Sequence, residues 1–261
     1  TLVPVGGGDT TTVNPTVTPT RGSVTGTVRD AGTHNPVAGA LAVLLDSQTG
    51  APRRVTTADG SGRFTFASLP PADWYVGAID PTGGHRPTFF PGVPDVPSAT
   101  RVSAPAGAEA TADIDQPSQP TAGTGTAISG RVTEAGTGTA LTGVVTLGLR
   151  SSDFAFERAT TTSNGNYNLF VPAGTHRVAF LDPSMIHPME WYEDQPYSGL
   201  ASSTVVTSPV IVDATLTAAT GTGTLAGTCK IANTGSWTSL SKSTCDITGL
   251  TGVKDVFLKF Q

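Results

Sequence analysis

The chain has 261 residues, 37% hydrophobic and only 13% charged, with a formal net charge of -5. That balance leaves no basic footprint, which makes nucleic acid and anionic membrane surfaces poor expectations as partners. No run of 18 apolar residues occurs, so no membrane span is expected. Gly, Thr, Ala, Pro and Ser dominate, and short runs of Val, Leu, Ile and Phe lie between turn-forming residues, a pattern that reads as all-β in two or three small domains. Nothing at Thr1 has the charged, apolar, small-residue order of a signal peptide, so a mature secreted form is the expectation.

In chain order, residues 1–21 hold Gly, Thr and Pro without sustained alternation and read as a linker or arm. Residues 22–115 read as a first β-sandwich with strands at VTGTVRD, ALAVLLD, RFTFASLP and WYVGAID. A Pro- and Thr-rich linker over 116–126 leads to a second sandwich over 127–216, with AISGRVTE, VVTLGLR, NYNLFVP and HRVAFLD as the matching strands. The first two strands of each set match at an offset of 104, and Asp80, Pro81, His85, Phe89, Phe90 and Pro94 recur as Asp182, Pro183, His187, Trp191, Tyr192 and Pro196 at an offset of 102. Two tandem antiparallel sandwiches are therefore expected, with GSG and Asn164-Gly165 supplying positive φ at hairpin turns. Each should bury the inward face of its sheets and leave the other face wet. ALAVLLD and VVTLGLR alternate less cleanly than the rest. After a short linker at 217–222, residues 223–261 read as a separate short module. All four Lys lie in this tail and all eleven Arg before it.

The order G-x-V-x-D/E, short turn, Val/Leu-x-Gly-Ala/Val, alternating strand, Gly-x-Phe/Tyr, Leu/Val-Pro resembles the carboxypeptidase regulatory-like domain, over about 22–114 and 127–216. The resemblance implies a transthyretin-like, Ig-like sandwich that is non-catalytic and serves secreted bacterial proteins as a repeated spacer or accessory module. Related pilin-type sandwiches carry a Lys to Asn crosslink; both copies here lack Lys, which excludes it within them. The tail, GTLAGTCKIANTGSWTSLSKSTCDITGLTGVKDVFLKF, resembles the C-terminal third of a family 6 carbohydrate-binding module, a three-stranded jelly-roll fragment. By that resemblance Trp237 stands where the family stacks a sugar ring, but Leu240 replaces the second aromatic and the sugar-binding Asn is missing. Trp237 thus reads either as a stacking platform for a polysaccharide or as a packed aromatic. Cys229 and Cys245 read as one local disulfide or as two free thiols. No His lies nearby to complete a metal site.

Four further groups are singled out. His85 and His187 share an Asp-Pro-x-x-x-His frame, readable as acid-base or metal chemistry or as a structural, turn or partner-facing, histidine. Asp59-Gly60-Ser61-Gly62 is readable as a calcium loop or as a hairpin turn. Phe89-Phe90 and Trp191-Tyr192 are adjacent aromatics whose members must point to opposite faces, so one of each pair needs cover from elsewhere. With the acidic rim Glu190, Glu193 and Asp194, they form a candidate interaction face. No Ser-His-Asp order, HExxH, P-loop or dinucleotide fingerprint is present, and no metal or cofactor is expected. The resulting expectation is a secreted bacterial protein without catalytic activity of its own, acting as spacer, display or assembly module at the cell surface or on a multidomain extracellular enzyme. The alternatives are a carbohydrate-binding protein using Trp237, or a filament subunit that self-associates or meets a protein partner by strand addition through the C-terminal strands.

Overall fold

The computed structural model describes residues 21–119, 125–196 and 203–219, and every regular element among them is a strand. The first half contributes β1 (Gly22–Asp30), β2 (Leu41–Asp46), β3 (Pro52–Thr57), β4 (Arg63–Leu69), β5 (Ala72–Ile79), β6 (Thr88–Phe89), β7 (Val102–Ala104), β8 (Glu109–Thr111) and β9 (Ile114–Gln116). The second contributes β10 (Thr126–Glu134), β11 (Val145–Arg150), β12 (Phe156–Thr161), β13 (Asn166–Val171), β14 (Thr175–Leu181), β15 (Glu190–Trp191), β16 (Gln195–Pro196), β17 (Val206–Thr207), β18 (Val210–Ile211) and β19 (Ala214–Leu216). The N-terminal arm through residue 20 and the tail from residue 220 lie outside the described residues, and with them Trp237, Cys229, Cys245 and the expected jelly-roll fragment.

Each half has two sheets. In the first, β1 pairs antiparallel with β4 and parallel with β8 and β9, while β3, β2, β5 and β6 form the opposing sheet with β7 beside β5. The second half repeats the arrangement, with β10 between β13 and the parallel β18 and β19, facing a sheet ordered β12, β11, β14, β15, β16. Strict alternation along GSVTGTVRD sends Val24 and Val28 into a core shared with Leu44, Phe64, Trp74 and Ile114. Ile128, Val132, Tyr167, Phe180 and Leu216 fill the corresponding core of the second half. Positive φ falls where the turns need it, at Gly62, Asn164 and Gly165.

The expected wet outer face is corrected for one sheet of each half. Ala42 and Leu44 point into the first core, and Leu41, Val43 and Leu45 point the opposite way into a third apolar cluster. That cluster is completed by Val145, Leu147, Leu149, Leu181 and Trp191 of the second half, so the two halves close on each other. A sheet covered on both faces buries successive positions, which is why LAVLL is unbroken and why all five residues of the equivalent VTLGL are buried, Thr146 and Gly148 included. Leu147, Leu149 and Trp191 are fully buried there, each contributing about 1.5–3 kcal/mol or more relative to exposure.

The seam is built from the same positions on both sides. Leu41, Val43, Leu45, Ile79 and Phe89 correspond in the repeat to Val145, Leu147, Leu149, Leu181 and Trp191, and all ten belong to one cluster. Flanking contacts are reciprocal as well. Gly83 lies against the Ala159 carbonyl, while Met185 and Val55, their counterparts, line one groove on the other side. This is the isologous geometry of a two-fold dimer, realised within one chain. Phe89 and Phe156 meet across the seam with ring centroids 5.3 Å apart. The outer edge of β12 is capped by the first half: the Phe156 N–H donates to the Pro94 carbonyl (2.9 Å), Thr161 Oγ1 donates to the Pro81 carbonyl (2.9 Å), and Gln119 Nε2 donates to the Glu157 carbonyl.

Candidate functional site

The repeated motif residues converge where the first and last strands of each half run side by side. Glycine is required at Gly26 and Gly130, because a Cβ would overlap the carbonyl oxygen of Ala112 in one half and of Val212 in the other. The parallel ladder breaks at this approach, and one carboxylate bridges each break. The Thr27 N–H donates to Asp113 Oδ1 (2.9 Å) and the Arg131 N–H to Asp213 Oδ1 (2.8 Å). The acidic residue closing the motif organises the following AGT turn. Asp30 Oδ1 accepts the Gly32 N–H (3.0 Å), the Thr33 N–H (2.7 Å) and the Thr33 hydroxyl (2.9 Å).

His85 joins this acid to the loop after β5. Its Nδ1 lies 2.7 Å from Asp80 Oδ2 and its Nε2 3.2 Å from Asp30 Oδ2, and Ser118 Oγ donates to the same Asp30 oxygen. Those bonds from Ser118 and Thr33 hold the Asp30 carboxyl far below the usual carboxylate range. Burial pushes Asp80 up, but the hydrogen bonds from His85 and Thr82 outweigh it and leave its carboxyl lowered. The second half repeats the cluster: His187 Nδ1 lies 2.8 Å from Asp182 Oδ2 and its Nε2 4.0 Å from Glu134. Burial of Asp182 is likewise outweighed, by Ser184 and His187. Chemically, these clusters tie loops together. The Ser118 hydroxyl donates a hydrogen bond to Asp30, whose oxygens accept four such bonds and also meet the His85 ring, an arrangement that consumes acid and hydroxyl in a turn. Asp59 is used in the same way, its Oδ1 accepting the Ser61 and Arg63 N–H groups at 2.8 and 3.0 Å in a hairpin turn. Among the described residues, no group of three or more His, Cys, Asp or Glu side chains is arranged to hold a metal ion.

A third ionic group sits on the sheet of the second half. His176 Nε2 lies 3.0 Å from Glu157 Oε2, and Arg150 Nε donates to Glu157 Oε1 at 3.1 Å. The His176 bond, with the Arg150 charge, holds Glu157 below its ordinary value against the cost of its burial.

The adjacent aromatics divide as neighbours on a strand must. Phe89 and Trp191 are buried in the seam, Trp191 being 1% exposed; Phe90 and Tyr192 are half-buried against the cores of their own halves. Of the four, Phe89 and Trp191 therefore lie in the seam between the halves. Glu190 is half-buried beside this aromatic, and burial, with the nearby Asp194 charge, pushes its carboxyl up to about 7. Glu193 and Asp194 are exposed, at φ 65° and 56°, in the turn between β15 and β16. Sequence reasoning missed Asp113, Asp213 and Ser118. The first two recur at an offset of 100, a register visible in TADIDQ against IVDATL.

A profile of the carboxypeptidase regulatory-like domain family matches residues 23–115. No curated protein matches the chain. Among solved structures, the Bacillus anthracis TIE protein aligns over 76% of this chain and 34% of its own at 11% identity and a TM-score of 0.30. The Streptococcal ancillary pilin aligns over 77% and 63% at 13% identity and 0.30, and the shaft pilin SpaA from Lactobacillus rhamnosus GG over 77% and 98% at 11% and 0.27. The chain spans about a third of the first and under two thirds of the second.

Proposed function

We propose that the chain is a non-catalytic structural segment of a secreted or cell-surface bacterial protein, in which two copies of a carboxypeptidase regulatory-like sandwich act as one stiff spacer for display or assembly. The observation that carries this reading is the isologous seam. A spacer fixes the distance and direction between what precedes and follows it, and a Pro-Thr linker alone leaves direction loose. Burying equivalent sheet faces on each other removes that freedom, and the Gln119 contact to Glu157 fixes the linker's start on the second half. The His and carboxylate groups that could suggest chemistry serve as loop ties.

The test is protease shaving of intact cells that make the parent protein, with an antibody raised against residues 21–219. The expected result is surface accessibility and release of one resistant fragment holding both halves. A chain found only inside intact cells, or a fragment cut readily between the halves, would overturn the proposal. Retardation of the whole chain by xylan or cellulose would move the role to glycan binding.

A further inference from the structure

We infer that each half is a load-bearing clamp, built so that tension applied through the chain's ends is resisted in shear by the parallel ladder between its first and last strands. The inference deepens the spacer reading and rests on it for its biological use, but the mechanical property belongs to the purified chain.

The geometry is carried by the pairing. In the first half the chain enters at Gly22, the start of β1, and leaves at Gln116, the end of β9. Ser23, Val24 and Thr25 pair in parallel with Glu109, Ala110 and Thr111, and Val28, Arg29 and Asp30 with Ile114, Asp115 and Gln116. Because these strands are parallel, the points of entrance and exit lie at opposite ends of the ladder. Pulling them apart slides β1 along β8 and β9 and loads the hydrogen bonds together. Antiparallel neighbours joined at one end would instead open one pair at a time. The second half has the same design, with Ile128 and Ser129 on Val210 and Ile211, and Val132, Thr133 and Glu134 on Ala214, Thr215 and Leu216.

Several otherwise unexplained features fall on this load path. Gly26 and Gly130 let the strands approach where each ladder breaks, and Asp113 and Asp213 bridge the gap. The bonded run continues past the strands: the Ala31 N–H donates to the Gln116 carbonyl and the Ala135 N–H to the Leu216 carbonyl, each at 2.8 Å. The departing segment is then tied to the histidine loop. In the first half the Arg86 N–H donates to the Pro117 carbonyl, the Gln119 N–H to the Gly84 carbonyl, and Ser118 to Asp30. In the second half the Ala219 N–H donates to the Ile186 carbonyl. The His85 and His187 clusters thus sit where each half passes its load onward. Lacking any Lys, neither half can place a Lys-derived covalent tie across these strands, so hydrogen bonds carry the load.

The test is single-molecule force spectroscopy on the full chain with handles at both ends. Two unfolding events are expected, each lengthening the chain by about 300 Å, from 95 residues (22–116) and 91 residues (126–216) at roughly 3.6 Å each less a folded span near 30 Å. Moving one handle from the C-terminus to position 71, in the loop between β4 and β5, pulls β1 from the antiparallel β4 at their common end, since Gly22 pairs with Leu69. The first half should then yield at half the end-to-end force or less. Asp113→Ala should lower the end-to-end force of one event and leave the other unchanged. Equal forces in the two pulling directions would overturn the clamp while leaving surface location and the spacer reading standing. Loss of surface location would leave the force result intact.

Discussion

Adding a methyl group at position 26 or 130 would drive a Cβ into a backbone oxygen of the neighbouring parallel strand, Ala112 or Val212, and neither oxygen can rotate away as a side chain could. Gly26→Ala and Gly130→Ala should therefore each cost roughly 1–3 kcal/mol, read as a drop in urea midpoint, whereas Gly60→Ala, at an open turn, should stay within about 0.5 kcal/mol. A midpoint unchanged in Gly26→Ala would mean that the strands do not approach so closely. Glu190 supplies a pH dependence of opposite sign to that of the aspartates. Its carboxyl is raised from 4.5 to about 7, so the fold favours the protonated form. Its contribution is intact below 4.5 and is lost as pH rises through about 7. The lowered carboxyls of Asp80 and Asp182 contribute above 3.8 and lose that contribution as pH falls through their folded values. Glu190→Gln should thus raise the urea midpoint at pH 8 and leave it nearly unchanged at pH 4; an equal effect at both would sink the assignment.

At the scale of elements, the alternation of VTGTVRD and AISGRVTE places β1 and β10 because one face of each meets a core and the other meets water or a neighbouring loop. What alternation alone could not supply was the partner of β2 and β11. Unbroken apolar runs such as LAVLL say that both faces are covered, yet the same run fits a helix layer, a second chain or another sheet. The repeat held the missing information. Positions 43 and 147 are both apolar, equivalent and outward-facing on their own sandwiches, and two such faces in one chain can satisfy each other. Phe89 and Trp191 were readable as aromatics in need of cover, but not as members of one cluster, because nothing local in the sequence records which way the halves turn. The histidine frames were legible as repeats; their carboxylate partners at Asp30 and Glu134 lie more than 50 residues away and become neighbours only once β1 and β10 are placed. Asp113 and Asp213 escaped for the same reason, being loop residues whose role exists only where two distant strands converge.

For the whole molecule, the seam decides whether the halves behave as two bodies or one. Each half keeps a core of its own, so the seam is an interface between completed sandwiches and can open without unfolding either. While closed, it stabilises both, and the two should melt together in calorimetry. Leu147→Asp separates these cases. Position 147 is 1% exposed and faces apolar groups, so a carboxylate there lacks partners and costs several kcal/mol if the seam stays shut. Opening the seam relieves that cost at the expense of the shared apolar area. The expected result is therefore two melting transitions in place of one, with amide protection retained in β1 and β10 and lost at Phe156, whose N–H donates to the Pro94 carbonyl across the seam. Leu169→Asp is the contrast, because Leu169 lies in the core of the second half and its substitution should unfold that half outright. A single, uniformly lowered transition in both variants would mean that the halves share one cooperative core, and the two-body description would have to be given up.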